Sequence, residues 1–325
     1  MKAVVTGANG FLGGHLVRAL VGRGAEVRAA DVTRGPALDG LDIEFAEIDV
    51  LDPASLRTAF SGCDAVFHLA AIISIVGDPT GHVWRVNVQG PRNATAAALE
   101  AGVGRFVHCS SVHSFDLERC GPSLDETGPP TTHPDSPVYD RSKRAGEDEV
   151  RHVVAEGLDA VIVNPTGIIG PEDLGPSRMG ETVQQFMQRK IPVGVGGQFD
   201  FVDVRDVVDG MLAAHEHGRT GENYLLSGTR ISIKELGMLV ERYSGAPVPS
   251  TSVPLRLVKP LAPLVMRLTR RAKTPIFTPD ALHALTHSPA VSHYKASSEL
   301  GYISRPVHWT VRDTVAWFES QRGPG

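Results

Sequence analysis

The chain has 325 residues, 42% of them hydrophobic and 21% charged, and a formal net charge of −5 at pH 7. That length can bury one sizeable core or two modest ones, and the composition excludes a disordered, Pro/Gly-dominated chain. A mildly acidic balance with no Lys/Arg cluster excludes an electrostatic footprint for nucleic acid, so anionic ligands must be held by local devices such as helix N-termini. The three cysteines, Cys63, Cys109 and Cys120, contain no CxxC pair, which argues against a disulfide framework. No secretory signal precedes the first strand pattern, and no apolar run reaches the roughly 18 residues of a membrane span. The nearest, 254–269, is broken by Arg256, Lys259 and Arg267. The expectation is a cytoplasmic protein.

In chain order, strand patterns fall at 2–6, 26–30, 43–47, 65–68, 106–109 and 160–164, and helical patterns at 11–22, 53–61, 83–101 and 137–156. Alternating strands and helices are the signature of βαβ units and a parallel sheet. The strands are apolar nearly throughout, as expected when helices cover both faces. After Pro165 the rhythm changes. Residues 167–197 are rich in Gly and Pro around a helical stretch at 182–189, 200–216 returns to strand then helix, and 223–226 reads as another strand. From Ser232 the pattern is mainly helical with Pro breaks.

The first strand runs directly into Thr6-Gly7-Ala8-Asn9-Gly10-Phe11-Leu12-Gly13. The glycines are spaced GxxGxxG instead of GxGxxG, but the physical demands are the same: a tight turn, close approach of a pyrophosphate, and close packing of the next helix. Backbone N–H groups and the helix dipole then receive the phosphates. Glycine spacing alone is a weak signal; the strand before and the helix after supply context. So does Asp31, eighteen residues after Gly13, near the roughly 20-residue spacing of a ribose-binding acid. A carboxylate there repels a 2′-phosphate, so NAD is expected over NADP, although Arg34 works against that preference. Asp31 as a plain turn residue and Asp49 as a solvated loop acid are the structural alternatives. In the functional reading Gly7, Asn9, Gly10, Phe11, Leu12, Gly13 and Asp31 hold the cofactor, and Asp49 and Val50 meet its adenine edge. The expected fold is α/β, a Rossmann-type doubly wound parallel sheet with a smaller, mainly helical C-terminal lobe. Residues 1–165 plus about 199–228 would bind the cofactor, and 166–198 plus 229–325 the substrate.

Tyr139 and Lys143 stand at i and i+4, neighbours on one helix face. A lone pair of this kind is usually a surface contact. Here it follows the fifth strand, Phe106-Val107-His108-Cys109-Ser110-Ser111, which ends in two serines. Strand carboxyl ends line the ligand crevice of a doubly wound sheet, so Ser111 and Tyr139 are expected to converge on the cofactor. With these residues the chain resembles the extended branch of the short-chain dehydrogenase/reductase superfamily, the NAD-dependent epimerase/dehydratase superfamily. The likeness runs through Gly7/Gly10/Gly13, His68-Leu69-Ala70-Ala71, Asn87-Val88-Gln89-Gly90, Ser110-Ser111, Tyr139/Lys143, Asn164-Pro165-Thr166-Gly167 and Asp203-Val204-Arg205-Asp206-Val207.

The resemblance implies Tyr139 as general acid/base on the substrate oxygen and Ser111 as holder of the reacting carbonyl or hydroxyl. It implies that Lys143 binds the nicotinamide ribose and lowers the Tyr139 pKa. Moving a tyrosine from about 10 to about 7 takes roughly 4 kcal/mol, which one ammonium about 4–5 Å away supplies at an effective dielectric near 20. Asn87 would support the active-site helix, as a catalytic or a structural residue. Leu69, Ala70 and Ala71 would line the cofactor, and Pro165, Thr166 and Gly167 would meet its carboxamide. Asp206 is expected to cap a helix.

Sugar-nucleotide epimerases and dehydratases typically carry Val-Tyr-Gly after the serine strand and Arg-Pro after the sixth. This chain has Ser111-Val112-His113-Ser114-Phe115 and Asn164-Pro165-Thr166-Gly167 instead. It looks closer to dihydroflavonol-reductase-like and 3β-hydroxysteroid-dehydrogenase-like members, which interconvert a ketone and a secondary alcohol. The expected protein is therefore an NAD-dependent oxidoreductase acting on a small, hydrophobic substrate. An NAD-dependent sugar-nucleotide epimerase/dehydratase is the alternative, and a non-catalytic cofactor-sensing protein the second. The stretch 254–268 reads either as a hydrophobic pocket wall or as an amphipathic core helix. His113 and Arg178 are candidate substrate contacts, with packing and surface exposure as their plainer readings. His215-Glu216-His217 lacks HExxH spacing, so no metal is expected. The likeness also implies a homodimer through the helices at 83–101 and 137–156.

Overall fold

The computed structural model describes residues 1–175, 177–191, 194–249, 252–253, 286 and 288–322. Strands β1 (Lys2–Thr6), β2 (Glu26–Asp31), β3 (Glu44–Glu47), β4 (Ala65–His68), β5 (Arg105–Cys109) and β6 (Ala160–Pro165) are followed by β7 (Gly167–Ile169), β8 (Gln198–Asp203), β9 (Asn223–Leu226) and β10 (Thr229–Ser232). Seven of them form one parallel sheet in the order β9-β6-β5-β4-β1-β2-β3, and β10-β8-β7 form a smaller mixed sheet. Register sets Thr6 opposite His68 and His68 opposite His108, so the carboxyl ends of β1, β4 and β5 lie level. The chain builds outward from β1 to β3, then restarts on the other side of β1 at β4. Ligands of open α/β sheets sit at such a reversal.

Helices α1 (Phe11–Gly22), α2 (Pro53–Phe60), α3 (Gly90–Glu100), α4 (Val138–Ala155), α5 (Arg178–Met187), α6 (Val204–His217), α7 (Ile233–Ser244) and α8 (Val307–Ser320) surround these sheets. Alternate residues of a strand point to opposite faces. Ala3 and Val5 therefore meet Leu16 and Leu20 of α1 and Met211 of α6, while Val4 meets the layer of Leu56, Ala98 and Val150 from α2, α3 and α4. A third core joins Val183 and Phe186, Leu236 and Val240, and Val311 and Val315 to Phe201 of the small sheet. Local signals set the helix ends. The Asp52 carboxylate accepts from Ala54 N and Ser55 N ahead of Pro53, and a Ser232/Glu235 capping box opens α7 before Gly245 ends it in a left-handed turn.

Several expectations change. The single helix expected at 83–101 is a short turn, His82–Trp84, a π-helical segment, Arg85–Gln89, and then α3. Pro91, near the start of α3, has no N–H to donate, and π-segments of this kind recur at functional positions. The helix expected at 182–189 starts at Arg178, capped by the Ser177 hydroxyl on Gly180 N. Asp206 is not the cap of α6. Asp203 precedes the first helical residue and accepts from Arg205 N at 2.8 Å. Asp206 lies buried inside the first turn and accepts from Arg305 N and Nε at 2.7 and 2.6 Å. The stretch 254–268 lies outside the described residues. Among the described residues no helix is long and apolar enough to cross a membrane.

Two histidines sit inside the main sheet. His68 Nδ1 is 2.8 Å from Thr6 Oγ1, and its ring stacks on His108 at 5.6 Å between centroids. His68 Nε2 and both ring nitrogens of His108 are buried without partners. Burial, reinforced by the Lys143 charge, holds His68 down at about 3 and His108 well below the usual histidine range. Both stay neutral in the fold and gain a proton only on unfolding. Stability is therefore full above the unfolded value of about 6.5 and falls as pH drops below it. His68 alone removes about 2 kcal/mol between pH 6.5 and 5, which urea midpoints at neutral and mildly acid pH will read.

Candidate active site

Gly7 turns the chain at φ 69°, a left-handed conformation that disfavours any side chain. A Cβ there would lie 2.8 Å from Ala70 N and 3.0 Å from Leu69 C, so the turn rests directly on the backbone leaving β4. A Cβ on Gly13 would overlap the Gly7 carbonyl oxygen, so α1 closes onto the same turn. Gly10 is the N-cap of α1 and Phe11 its first residue, and the first N–H groups of a helix have no intrahelical partner. The carboxylate of Asp31, at the end of β2, accepts from Asn9 N and from Val32 N, each at 2.8 Å. Asn9 Oδ1 is buried with no partner. The structure thus brings Gly7, Asn9, Gly13, Asp31, Leu69 and Ala70 together, with Ala71 exposed just beyond. Asp49 is an exposed acid whose carboxylate accepts from Leu51 N at 2.8 Å, and the carbonyl of buried Val50 accepts from Asn93 Nδ2 at 3.0 Å.

Ser111 leaves β5 as the cap of a short 3-10 turn, Val112–Ser114, its Oγ accepting from His113 N at 3.2 Å. Tyr139 lies in the first turn of α4, and its phenol lies close enough to the Ser111 side chain for that group to oppose the rise in its pKa. One turn on, buried Lys143 donates to the Cys109 carbonyl at 2.9 Å. The three residues meet at the carboxyl end of β5. Burial pushes the Tyr139 phenol above its ordinary value; the Ser111 side chain opposes this, and Asp140 adds to it. Burial also lowers Lys143, against the pull of Cys109 and Glu147. The expectation that Lys143 sets the Tyr139 pKa is therefore not met in the protein alone: its ammonium is tied to a backbone carbonyl, and desolvation of the phenol is the larger effect.

Asn87 sits in the π-helical segment. Its Oδ1 accepts from Ile72 N at 2.8 Å, and its Nδ2 donates to Ile72 O at 2.9 Å and Ser142 Oγ at 3.0 Å. It clamps the loop after β4 to α4, and Gly146 permits that contact because a Cβ there would overlap the Asn87 carbonyl oxygen. At the end of β6, Thr166 follows Pro165 and donates to buried Asp200 at 2.6 Å, while Gly167 fits beneath the Phe199 ring. His113 Nδ1 lies 3.2 Å from Asp140 Oδ2, and its ring meets Tyr139 edge-on at 5.8 Å. Arg178 opens α5 and reaches the Ile73 carbonyl at 3.4 Å, with no contact to Ser111 or Tyr139.

The sequence reading missed Glu147. Its wholly buried carboxylate accepts from Asn164 Nδ2 at 2.6 Å, Asn223 Nδ2 at 3.1 Å and Arg151 Nη2 at 3.0 Å. The same Asn164 amide donates to the Ser111 carbonyl at 3.0 Å, which ties α4 to the serine turn. Tyr139, Lys143, Glu147 and Arg151 recur every four residues, a single helix face.

The profile of the NAD-dependent epimerase/dehydratase family matches residues 3–227. The chain is 37% identical over 331 residues to sterol demethylase protein B of Methylococcus capsulatus, covering 99% of each chain. It is 32% identical over 330 residues to a provisionally named dihydroflavonol 4-reductase of Synechocystis sp., covering 97% of this chain and 94% of the other. The crystal structure of gox2253 is similar at a TM-score of 0.86 and 32% identity, covering 99% of this chain and 98% of that one.

Proposed function

The chain belongs to the NAD-dependent epimerase/dehydratase family of extended short-chain dehydrogenases/reductases, and from that premise we propose that it interconverts a ketone and a secondary alcohol on a hydrophobic substrate. The observation that carries this reading is the meeting of Ser111, Tyr139 and Lys143 beside the glycine turn. The names of two relatives, one a sterol enzyme and one a dihydroflavonol reductase, support it.

The turn fits a dinucleotide: a Cβ would fill it at Gly7 and Gly13, and Asn9 Oδ1 beside it is a buried acceptor with no partner. Gly7 and residues 9–13 would hold the pyrophosphate, Asp31 the ribose, and Asp49 and Val50 the adenine edge. Leu69, Ala70, Ala71, Pro165, Thr166 and Gly167 would flank the nicotinamide. When bound, NAD supplies or accepts the hydride. Ser111 and Tyr139 hold the substrate oxygen, Tyr139 Oη gives or takes its proton, and Lys143 is the cation available to the ribose hydroxyls. Asn87 keeps α4 in place against the loop after β4. His113 and Arg178 complete the substrate side. Residues 1–165 plus about 199–228 bind the cofactor and the remainder the substrate, a division supported by the separate core of α5, α7 and α8. The enzyme works in the cytoplasm as a homodimer through α4 and the 83–101 segment. Its free cysteines suit a reducing compartment, and sizing in solution tests the dimer.

The deciding experiment follows nicotinamide absorbance with NAD or NADH against panels of hydrophobic alcohols, hydrophobic ketones and nucleotide sugars. Net redox change with an alcohol or ketone is the expected result. Conversion of a nucleotide sugar with no net redox change would overturn the reading in favour of an epimerase or dehydratase. Asp31 is assigned the choice of NAD over NADP. Asp31→Asn is expected to weaken NADH binding roughly tenfold, as loss of a charged acceptor does, and to improve NADPH binding; fluorescence titration with both nucleotides checks this.

A further inference from the structure

Behind the crevice, one buried carboxylate faces both groups that flank Tyr139. Glu147 stands four residues past Lys143 on α4, and Arg151 Nη2 lies 3.0 Å from its carboxylate. Asn164 Nδ2 donates to that carboxylate at 2.6 Å, and the same amide donates to the Ser111 carbonyl and to Ser114 Oγ, each at 3.0 Å. Asn164 is held in this orientation from its other end. Its Oδ1 accepts from Asn223 Nδ2 at 2.8 Å, and Asn223 Nδ2 also donates to Glu147 at 3.1 Å. Around the Lys143 ammonium stand Tyr139 and Glu147 on α4, Cys109 and His108 on β5, and His68 on β4. Both histidines stay neutral, and burial pushes the Cys109 thiol up to about 11 and the Tyr139 phenol above its ordinary value. The negative charge that faces Lys143 at neutral pH is therefore that of Glu147, one helical turn away.

We propose that Glu147 is a positioning residue of the reaction: through Asn164 it fixes the turn that carries Ser111, and along α4 it supplies the counter-charge to Lys143. One carboxylate then sets both partners of Tyr139 without touching substrate or cofactor. The inference rests on the hydride-transfer reading. A buried ammonium is costly without a negative charge near it. Burial does pull Lys143 below its ordinary value, and Cys109 and Glu147 oppose it. Cys109 does so only as a thiolate, which forms near pH 11, so Glu147 carries the effect at lower pH. Loss of the Glu147 charge lowers Lys143 further. Whatever depends on the ammonium is present below the Lys143 midpoint and lost as pH rises through it. A bare charge about 6 Å away at a dielectric near 20 is worth roughly two pH units, and the Arg151 charge offsets part of it to leave about one.

The test compares Glu147→Gln, which keeps the shape and loses the charge, with Glu147→Asp, which keeps the charge, and with Asn164→Ala. Lysine isotopically labelled at its ε-carbon reports the Lys143 titration by NMR in the cofactor-free protein; the resonance is assigned by its loss in Lys143→Arg. NADH oxidation by decalone and by a ketosteroid, followed against pH, gives kcat and KM, and NADH binding at neutral pH confirms that each variant is folded. Glu147→Gln is expected to bring the Lys143 midpoint and the alkaline limb of kcat down by about one pH unit. It should also lower kcat at neutral pH about tenfold, because an amide cannot accept from Asn164 and Asn223 as a carboxylate does. Glu147→Asp should leave the midpoint in place. Asn164→Ala should lower kcat about tenfold with the midpoint unmoved, since it releases the serine turn and keeps the charge. A midpoint unmoved in Glu147→Gln, or moved equally in Glu147→Asp, would overturn the inference alone. So would unchanged turnover in Asn164→Ala, which decides the matter even if Glu147→Gln does not fold. Failure of every ketone to oxidise NADH in the unsubstituted protein would overturn the hydride-transfer reading and this inference with it.

Discussion

Tyr139→Phe is expected to slow hydride transfer about a thousandfold while NADH binding and the fold survive. The substitution removes one oxygen and keeps the ring that His113 meets edge-on at 5.8 Å, so packing is retained. What goes is the buried phenol hydroxyl beside Ser111, at a cost in stability of about 1 kcal/mol. Ser111 can still hold the substrate oxygen. It has no base at its own oxygen to relay a proton, because its Oγ accepts from His113 N. Burial, which pushes the phenol above its ordinary value, keeps Tyr139 protonated and ready to donate, so the reduction direction is the one to measure. A single-turnover trace of NADH oxidation beside an NADH titration separates chemistry from binding. A loss below tenfold would mean that another group moves the proton, and the role assigned to Tyr139 would fall.

Most of the strands were legible because they are short, largely apolar runs, and β1 and β4 fall at their expected limits. The glycine turn and the i, i+4 pair of α4 were legible for the same reason: both are local in sequence. The π-helical segment was not. Asn87 holds that shape through the Ile72 backbone, fifteen residues away, and through Ser142 on another helix, and no pattern within 83–101 encodes either partner. Glu147 shows how a buried charge hides: its partners Asn164 and Asn223 stand on β6 and β9, 17 and 76 residues distant. The fourfold spacing from Tyr139 to Arg151 was available as a signal, but it does not say which face is buried. Asp203 and Asp206 both precede a helical pattern, and only the position of the first turn decides which one caps it. The direction in which burial pushes the Tyr139 phenol was illegible for the same reason, because desolvation depends on packing, and charge spacing alone cannot supply it.

Gly13→Ala is expected to abolish useful cofactor binding, lowering NADH affinity by about a hundredfold or more, near 2.7 kcal/mol. The added Cβ would overlap the Gly7 carbonyl oxygen and lie 2.9 Å from Ala8 Cα. Both are backbone atoms, so no rotamer can move them aside. The turn cannot retreat either, since the Cβ position of Gly7 is already 2.8 Å from Ala70 N. Relief must come from α1 lifting off the turn, which separates the helix N-terminus from the phosphate position it serves. Stability should fall by about 1–3 kcal/mol, the usual cost of overpacking. Gly22→Ala is the matched control: it lies in the same helix, with nothing within 4 Å of its added Cβ. It should bind NADH normally and gain up to about 1 kcal/mol from helix propensity. Fluorescence titration and thermal unfolding of the two variants give opposite signs if the glycine turn is the phosphate cradle. Normal NADH binding by Gly13→Ala would show that the phosphates rest elsewhere, and the assignment of residues 7–13 would fall with it.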